Sequence, residues 1–193
     1  MKSTDMTEYD RVFVPLSGVM ADYCPQVLIE ALAQAAACRA STASAALLGS
    51  GFMADCARGN YSLDAQLDEV RARLNADLTE AHLQGLWSLA YEPRLAAIEA
   101  LADARLPRPT TLVEDSPLLE AGLDAYLPEI PRAWRETAYS FQHGSLTTDS
   151  GLYGALAKHY GHDASRTAVI SDDPRVRSAA EAAGWGVLDA TRY

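Results

Sequence analysis

Long stretches of helical spacing along this chain are interrupted by three short apolar runs of a different kind. Arg11-Val12-Phe13-Val14 runs into Pro15-Leu16-Ser17-Gly18, Thr110-Thr111-Leu112-Val113 into Glu114-Asp115-Ser116-Pro117, and Thr167-Ala168-Val169-Ile170 into Ser171-Asp172-Asp173-Pro174. Each run is brief, rich in β-branched or bulky apolar residues, and ends in turn-forming or polar residues. That pattern predicts strands of a buried parallel sheet, where both faces are covered and no polar alternation survives. A weaker strand is predicted at Gly186-Val187-Leu188, after a helical pattern from Val176 to Ala183 that closes on Gly184.

Roughly ninety residues separate the first run from the second, far more than the dozen or so that a βαβ crossover needs. Helical periodicity fills the gap. Asp64 to Leu74 gathers Leu67, Val70 and Leu74 on one face, and Thr79 to Leu89 gathers Leu83, Leu86 and Trp87. Ser62 and Thr79 stand where N-caps belong. Pro93 is expected to open a helix over Arg94 to Ala104, with Pro107 and Pro109 marking the return to the sheet. The expected fold is therefore α/β, a Rossmann-like parallel sheet flanked by helices, with a small α-helical insert after the first strand. Residues 1–21 and 92–193 would form the core and 22–91 the insert.

Composition narrows the partners. With 26 Asp and Glu against 16 Lys and Arg, the net charge of -10 disfavours nucleic acid and anionic membrane surfaces, and no basic cluster offsets it. Cys24, Cys38 and Cys56 have neither metal-ligand nor CxxC spacing and read as free thiols in a reducing compartment. The opening MKSTDMTEYD lacks the apolar core of a secretory leader, and polar residues break the Ala-rich stretch from Ala31 to Leu48. A cytoplasmic location is the expectation.

In an open parallel sheet, ligands bind beyond the carboxyl ends of the strands. Those ends carry Pro15, Ser17 and Gly18, then Glu114, Asp115 and Ser116, then Ser171, Asp172 and Asp173. Together with VFVPLSGVM, SFQHGSLTTDSGLYGAL and TAVISDDPRVRSAAEAAGWGV, they give the chain a resemblance to the haloacid dehalogenase-like (HAD) superfamily, in the subclass with a helical cap after the first strand. The resemblance implies phosphoryl or halide-displacing chemistry on a nucleophilic aspartate, usually with magnesium. It also implies where this sequence departs from that chemistry. Pro15 stands at the nucleophile's position, Ser17 at that of the acid/base Asp, Glu114 at that of the phosphate-binding Ser or Thr, and Thr147 at that of the Lys. Ser171 replaces the first of the paired acids, while Asp172 keeps the second.

Proline has no carboxylate with which to attack phosphorus or carbon. Asp10 lies at the far end of the strand and Asp22 at the start of the insert, so neither replaces it. Exchanging a lysine for Thr147 and gaining Glu114 turns an anion-attracting crevice into an anion-repelling one. No metal is expected, since Asp172 and Asp173 are only weak candidates for magnesium, and Asp172-Asp173-Pro174 reads first as the N-cap of the following helix. Asp22, Asp115, Ser116, His143 and Asp173 are candidate ligand contacts. Cys24 with His143 is a conceivable thiol–imidazole pair with no motif linking the two. His82, His159 and His162 read as solvated, and Trp87, Trp134 and Trp185 as core or interface anchors. Ser116 reads as the N-cap of a helix entered at Pro117.

The functional expectation is a catalytically degenerate HAD-like protein, a pseudoenzyme, that binds a protein partner or a small molecule. The alternative is a HAD-like hydrolase or repurposed enzyme using Glu114, Asp172 and Asp173 for other chemistry. The resemblance also allows a homodimer formed through the cap.

Overall fold

The computed structural model describes residues 8–104, 110–116, 123–128 and 136–192. The three apolar runs form β1 (Arg11–Pro15), β4 (Thr110–Glu114) and β6 (Thr167–Ile170), and the weaker one forms β7 (Gly186–Leu188). With β5 (Glu136–Tyr139) they make a parallel sheet in the order β5-β4-β1-β6-β7. Val12 pairs with Thr110 on one side of β1 and Ala168 on the other. That central position is why β1 is buried along its whole length.

Side chains alternate across the strand and enter two apolar layers. Val12 and Val14 face one layer, and Phe13 faces the other with Leu152, Tyr153 and Leu156 of α8 (Ser150–Tyr160). There Phe13 lies 4.7 Å from the Trp185 ring, and Val176 and Ala180 of α9 (Pro174–Ala182) close the layer. Burying each such large side chain contributes about 1.5–3 kcal/mol.

The first layer is continuous with helices that follow β1: α1 (Pro25–Ala35), α2 (Ala40–Leu47), α3 (Phe52–Ala57), α4 (Leu63–Leu74) and α5 (Glu80–Ser88). The expected caps are present. Ser62 accepts a hydrogen bond from the Ala65 amide and Thr79 from the His82 amide, and Leu67, Val70, Leu83 and Trp87 point inward. The sequence did not reveal the ribbon that frames these helices, in which β2 (Ala21–Tyr23) pairs antiparallel with β3 (Tyr91–Pro93).

Pro93 therefore ends a strand instead of opening a helix, α6 (Leu95–Asp103) begins after Arg94, and the short α7 (Leu123–Tyr126) lies between β4 and β5. In a two-stranded ribbon every strand is an edge, so a proline costs no central ladder bond. The polar strand β5 was also not anticipated. It flanks β4, and its Glu136 ion-pairs with the buried Arg11 at 2.9 Å. Trp134, Pro107, Pro109 and the helix entry at Pro117 lie outside the described residues.

A second tether joins the helices to the sheet. The buried Ser140 hydroxyl donates to the Ala57 carbonyl at 2.7 Å, just after β5. Gly59, with φ +76°, lies so close to the same turn that a Cβ would sit 2.3 Å from the Phe141 carbonyl oxygen. Among the described residues, no helix is long and apolar enough to cross a membrane.

Candidate functional site

The carboxyl ends of β1, β4 and β6 meet at one edge of the sheet, as a parallel arrangement requires. After β1 the chain turns tightly: the Met20 and Ala21 amides donate to the Leu16 carbonyl, and the Gly18 amide to that of Ala21. Gly18 takes φ +83°, a value glycine adopts without a steric penalty. This turn aims Ser17 across the crevice at Glu114.

Glu114 is 6% exposed, and both of its carboxylate oxygens are engaged. Oε2 accepts from the Ser17 amide at 3.2 Å and the Ser17 hydroxyl at 2.9 Å. Oε1 accepts from the Asp115 amide at 2.8 Å, the Ser116 amide at 3.2 Å and the Tyr91 hydroxyl at 3.3 Å. Burial first, and the adjacent Asp115 carboxylate second, push its pKa up to about 7 against the lowering effect of these donors. Burial and the Glu114 carboxylate hold the Tyr91 phenol well above its ordinary range.

The other predicted positions fall around this centre. Asp115 accepts from the Thr147 amide at 2.9 Å and its hydroxyl at 2.8 Å, so Thr147 ties the β4 end to the loop before α8. Burial raises the Asp115 pKa above its ordinary value. Ser171 is buried and accepts from the Asp173 amide at 3.1 Å. Asp173 caps α9 through the Arg175 amide and ion-pairs with the Arg175 side chain at 2.8 Å, which lowers its pKa. Asp172 is exposed and has no hydrogen-bond or ion-pair partner among the described residues. Asp22 is exposed, 3.5 Å from Arg94.

Above these strand ends lies a cavity of about 720 Å³, large enough for a small organic molecule. Pro15, Ser17, Glu114, Thr147, Ser171 and Asp172 all border it, as do Asp22, Asp115, Ser116 and Asp173. The helices following β1 supply the other wall, with Phe52, Met53, Gln66, Val70 and Trp87. His143 is placed elsewhere: it does not border the cavity, its ring packs 5.5 Å from that of His159, and burial lowers its pKa. Cys24 is the exposed N-cap position of α1 and is likewise outside the lining. His82 and His159 are exposed, His162 is half-buried, and Asp10 is held by Arg166 in a two-point ion pair at the opposite end of β1.

Sequence reasoning missed Tyr91, Gln66 and Arg175 as site residues. Tyr91 reaches Glu114 only because β3 pairs with β2, and no periodic signal marks that pairing. Gln66 occupies an inward position of α4 whose neighbours are apolar, and a lone glutamine in that pattern was the available clue.

The residues present do not fit the magnesium that this type of fold often holds. Pro15 brings no carboxylate, Asp173 is turned to Arg175, and both oxygens of Glu114 accept hydrogen bonds from the chain itself. Among the described residues no group of three His, Cys, Asp or Glu side chains is gathered for a metal ion.

No protein-family model matches this sequence, and no curated protein matches it. Solved structures do. A HAD family enzyme from Bacteroides thetaiotaomicron, bt-2542, in complex with magnesium and inorganic phosphate, superposes with a TM-score of 0.73 at 12% identity, over 94% of this chain and 93% of that one. A predicted HAD-like family hydrolase from Porphyromonas gingivalis gives 0.73 at 16% identity over 94% and 91%. An L-2-haloacid dehalogenase from Xanthobacter autotrophicus, with chloropropionic acid covalently bound, gives 0.59 at 14% identity over 93% and 76%. Agreement over nearly the whole chain at so low an identity speaks to architecture, and the architecture of this protein is the haloacid dehalogenase-like fold.

Proposed function

We propose that this HAD-like protein acts by binding a small molecule or a protein partner in its strand-end crevice, without aspartate-based phosphatase or dehalogenase activity. The observation that carries this reading is Glu114. Its carboxyl oxygens already take up the donors of Ser17, Asp115, Ser116 and Tyr91, so an incoming anion meets a carboxyl group where it would need free hydrogen-bond donors. Pro15 adds to it, because a covalent intermediate on that residue cannot form. In this reading residues 22–91 serve as a cap over the crevice, no magnesium is required, and the protein works in the cytoplasm.

The test is hydrolysis of p-nitrophenyl phosphate with Mg²⁺ by the wild type and by Asp172→Asn. The expected result is no turnover above background in either. Turnover by the wild type that the substitution abolishes sinks the reading. A second reading, a repurposed enzyme, draws on Glu114 as well, since a buried carboxyl titrating near neutrality can give and take a proton. Its sign would be turnover of a non-phosphorylated substrate that Glu114→Gln eliminates.

A further inference from the structure

The polar groups at the strand ends are turned on one another. Glu114 takes up donors from Ser17, Asp115, Ser116 and Tyr91, and Asp115 holds the amide and hydroxyl of Thr147. Arg175, the one basic side chain among the described lining residues of the cavity, is paired with Asp173. An entering anion therefore finds the cation engaged, and an entering cation finds Glu114 and Asp115 already satisfied. Asp172 has no partner among the described residues, but it is exposed, where water satisfies a carboxylate. The opposite wall is apolar: Phe52, Val70 and Trp87 border the cavity and are at most 2% exposed. Tyr23 on β2 and Leu48 at the end of α2 border it too, yet are 37% and 39% exposed. They stand where the cavity opens, and they carry its apolar wall out to solvent. Leaving two large apolar side chains wet at one mouth has a cost that a ligand lying across them would remove.

Resting on the binding reading of this crevice, we propose that the cavity takes an uncharged, largely apolar small molecule, its body against Phe52, Val70 and Trp87 and its outer end against Tyr23 and Leu48. A charged group of either sign would lose its water without gaining a free countercharge inside the chamber. A hydroxyl or carbonyl would lose far less, and an apolar body gains in proportion to the wall it covers. The volume of about 720 Å³ lies in the range of small-molecule sites.

The neutral dye N-phenyl-1-naphthylamine, which brightens in apolar surroundings, tests this near neutral pH. Its fluorescence should rise saturably, with one site per chain and a dissociation constant of about 10 µM or tighter. Competition with three naphthalenes of matched size then reads the charge: 2-naphthylmethanol, the anion 2-naphthoate and the cation of 2-naphthylmethylamine. The alcohol should displace the dye at a concentration at least about tenfold lower than either ion needs. Leu48→Ser should weaken the dye about threefold to tenfold. Leu89→Ser, at a leucine 56% exposed and outside the lining, should leave it unchanged, with thermal unfolding confirming that both variants fold. No saturable brightening, displacement by either ion as effective as by the alcohol, or a Leu48→Ser affinity no lower than that of Leu89→Ser overturns the proposal. Failure of the dye and the alcohol to bind, with no phosphatase turnover, removes this ligand class and leaves the binding reading standing, whereas phosphatase turnover removes the binding reading whatever the dye does.

Discussion

Replacing Glu114 with glutamine isolates the most unusual group in the crevice. In the folded protein burial moves this carboxyl from 4.5 up to about 7, so between those values the native state holds a proton that the unfolded chain has released. The stability tied to that proton is fully present below about pH 4.5 and is lost as pH rises through 7, because stability falls with pH wherever the native state binds more protons. The interval converts to about 3 kcal/mol at most, at roughly 1.4 kcal/mol per pH unit. Glutamine cannot titrate, but it sets an NH₂ against donors that need an acceptor, which costs about 1–3 kcal/mol at every pH. Urea unfolding followed by fluorescence from pH 5 to pH 8.5 should therefore show the wild type ahead at the acid end, with its advantage shrinking by up to about 3 kcal/mol toward the alkaline end. A constant difference across the range would refute the reasoning. It would mean that the three backbone amides of Ser17, Asp115 and Ser116 keep the carboxylate ionised despite its burial.

Other substitutions probe the frame around the site. Gly59→Ala forces a side chain into a positive-φ position and against the Phe141 carbonyl, so it should cost about 2–4 kcal/mol in chemical denaturation. Asp173→Ala removes the α9 cap and should cost about 1 kcal/mol in the same assay. Trp185→Ala empties the space between Phe13 and Tyr153 and should cost about 3–5 kcal/mol. Asp172→Asn, exposed and unpartnered, should leave the unfolding free energy unchanged within about 0.5 kcal/mol.

The sheet was readable because its central strands are buried on both faces, and burial leaves a compositional mark: Val12 to Val14 and Ala168 to Ile170 contain no polar residue. The helices of the insert were readable from periodicity and from Ser62 and Thr79. What could not be read depends on pairing and not on pattern. Three-residue strands such as β2 and β3 are too short to show alternation, and β5 is a polar edge whose place is fixed by the reach of Glu136 to Arg11. The acidic character of the crevice was visible in Glu114 and Asp172, but the way the Glu114 oxygens find their hydrogen-bond donors was not. That needed Tyr91 and the turn at Ser17 to be seen converging on it from separate parts of the chain.

The tether between Ala57 and Ser140 changes how the cavity should exchange its contents. Helices joined to the sheet by the β2–β3 ribbon alone could swing on that ribbon, and entry to the cavity would then follow the rate of swinging. Here a buried hydrogen bond and a side-chain-free contact at Gly59 fasten the far end as well. The chamber is thus a fixed vessel with a mouth and not a jaw. On the proposed binding role, entry through that mouth would need no closing step, so association should follow a single phase whose rate rises linearly with ligand concentration.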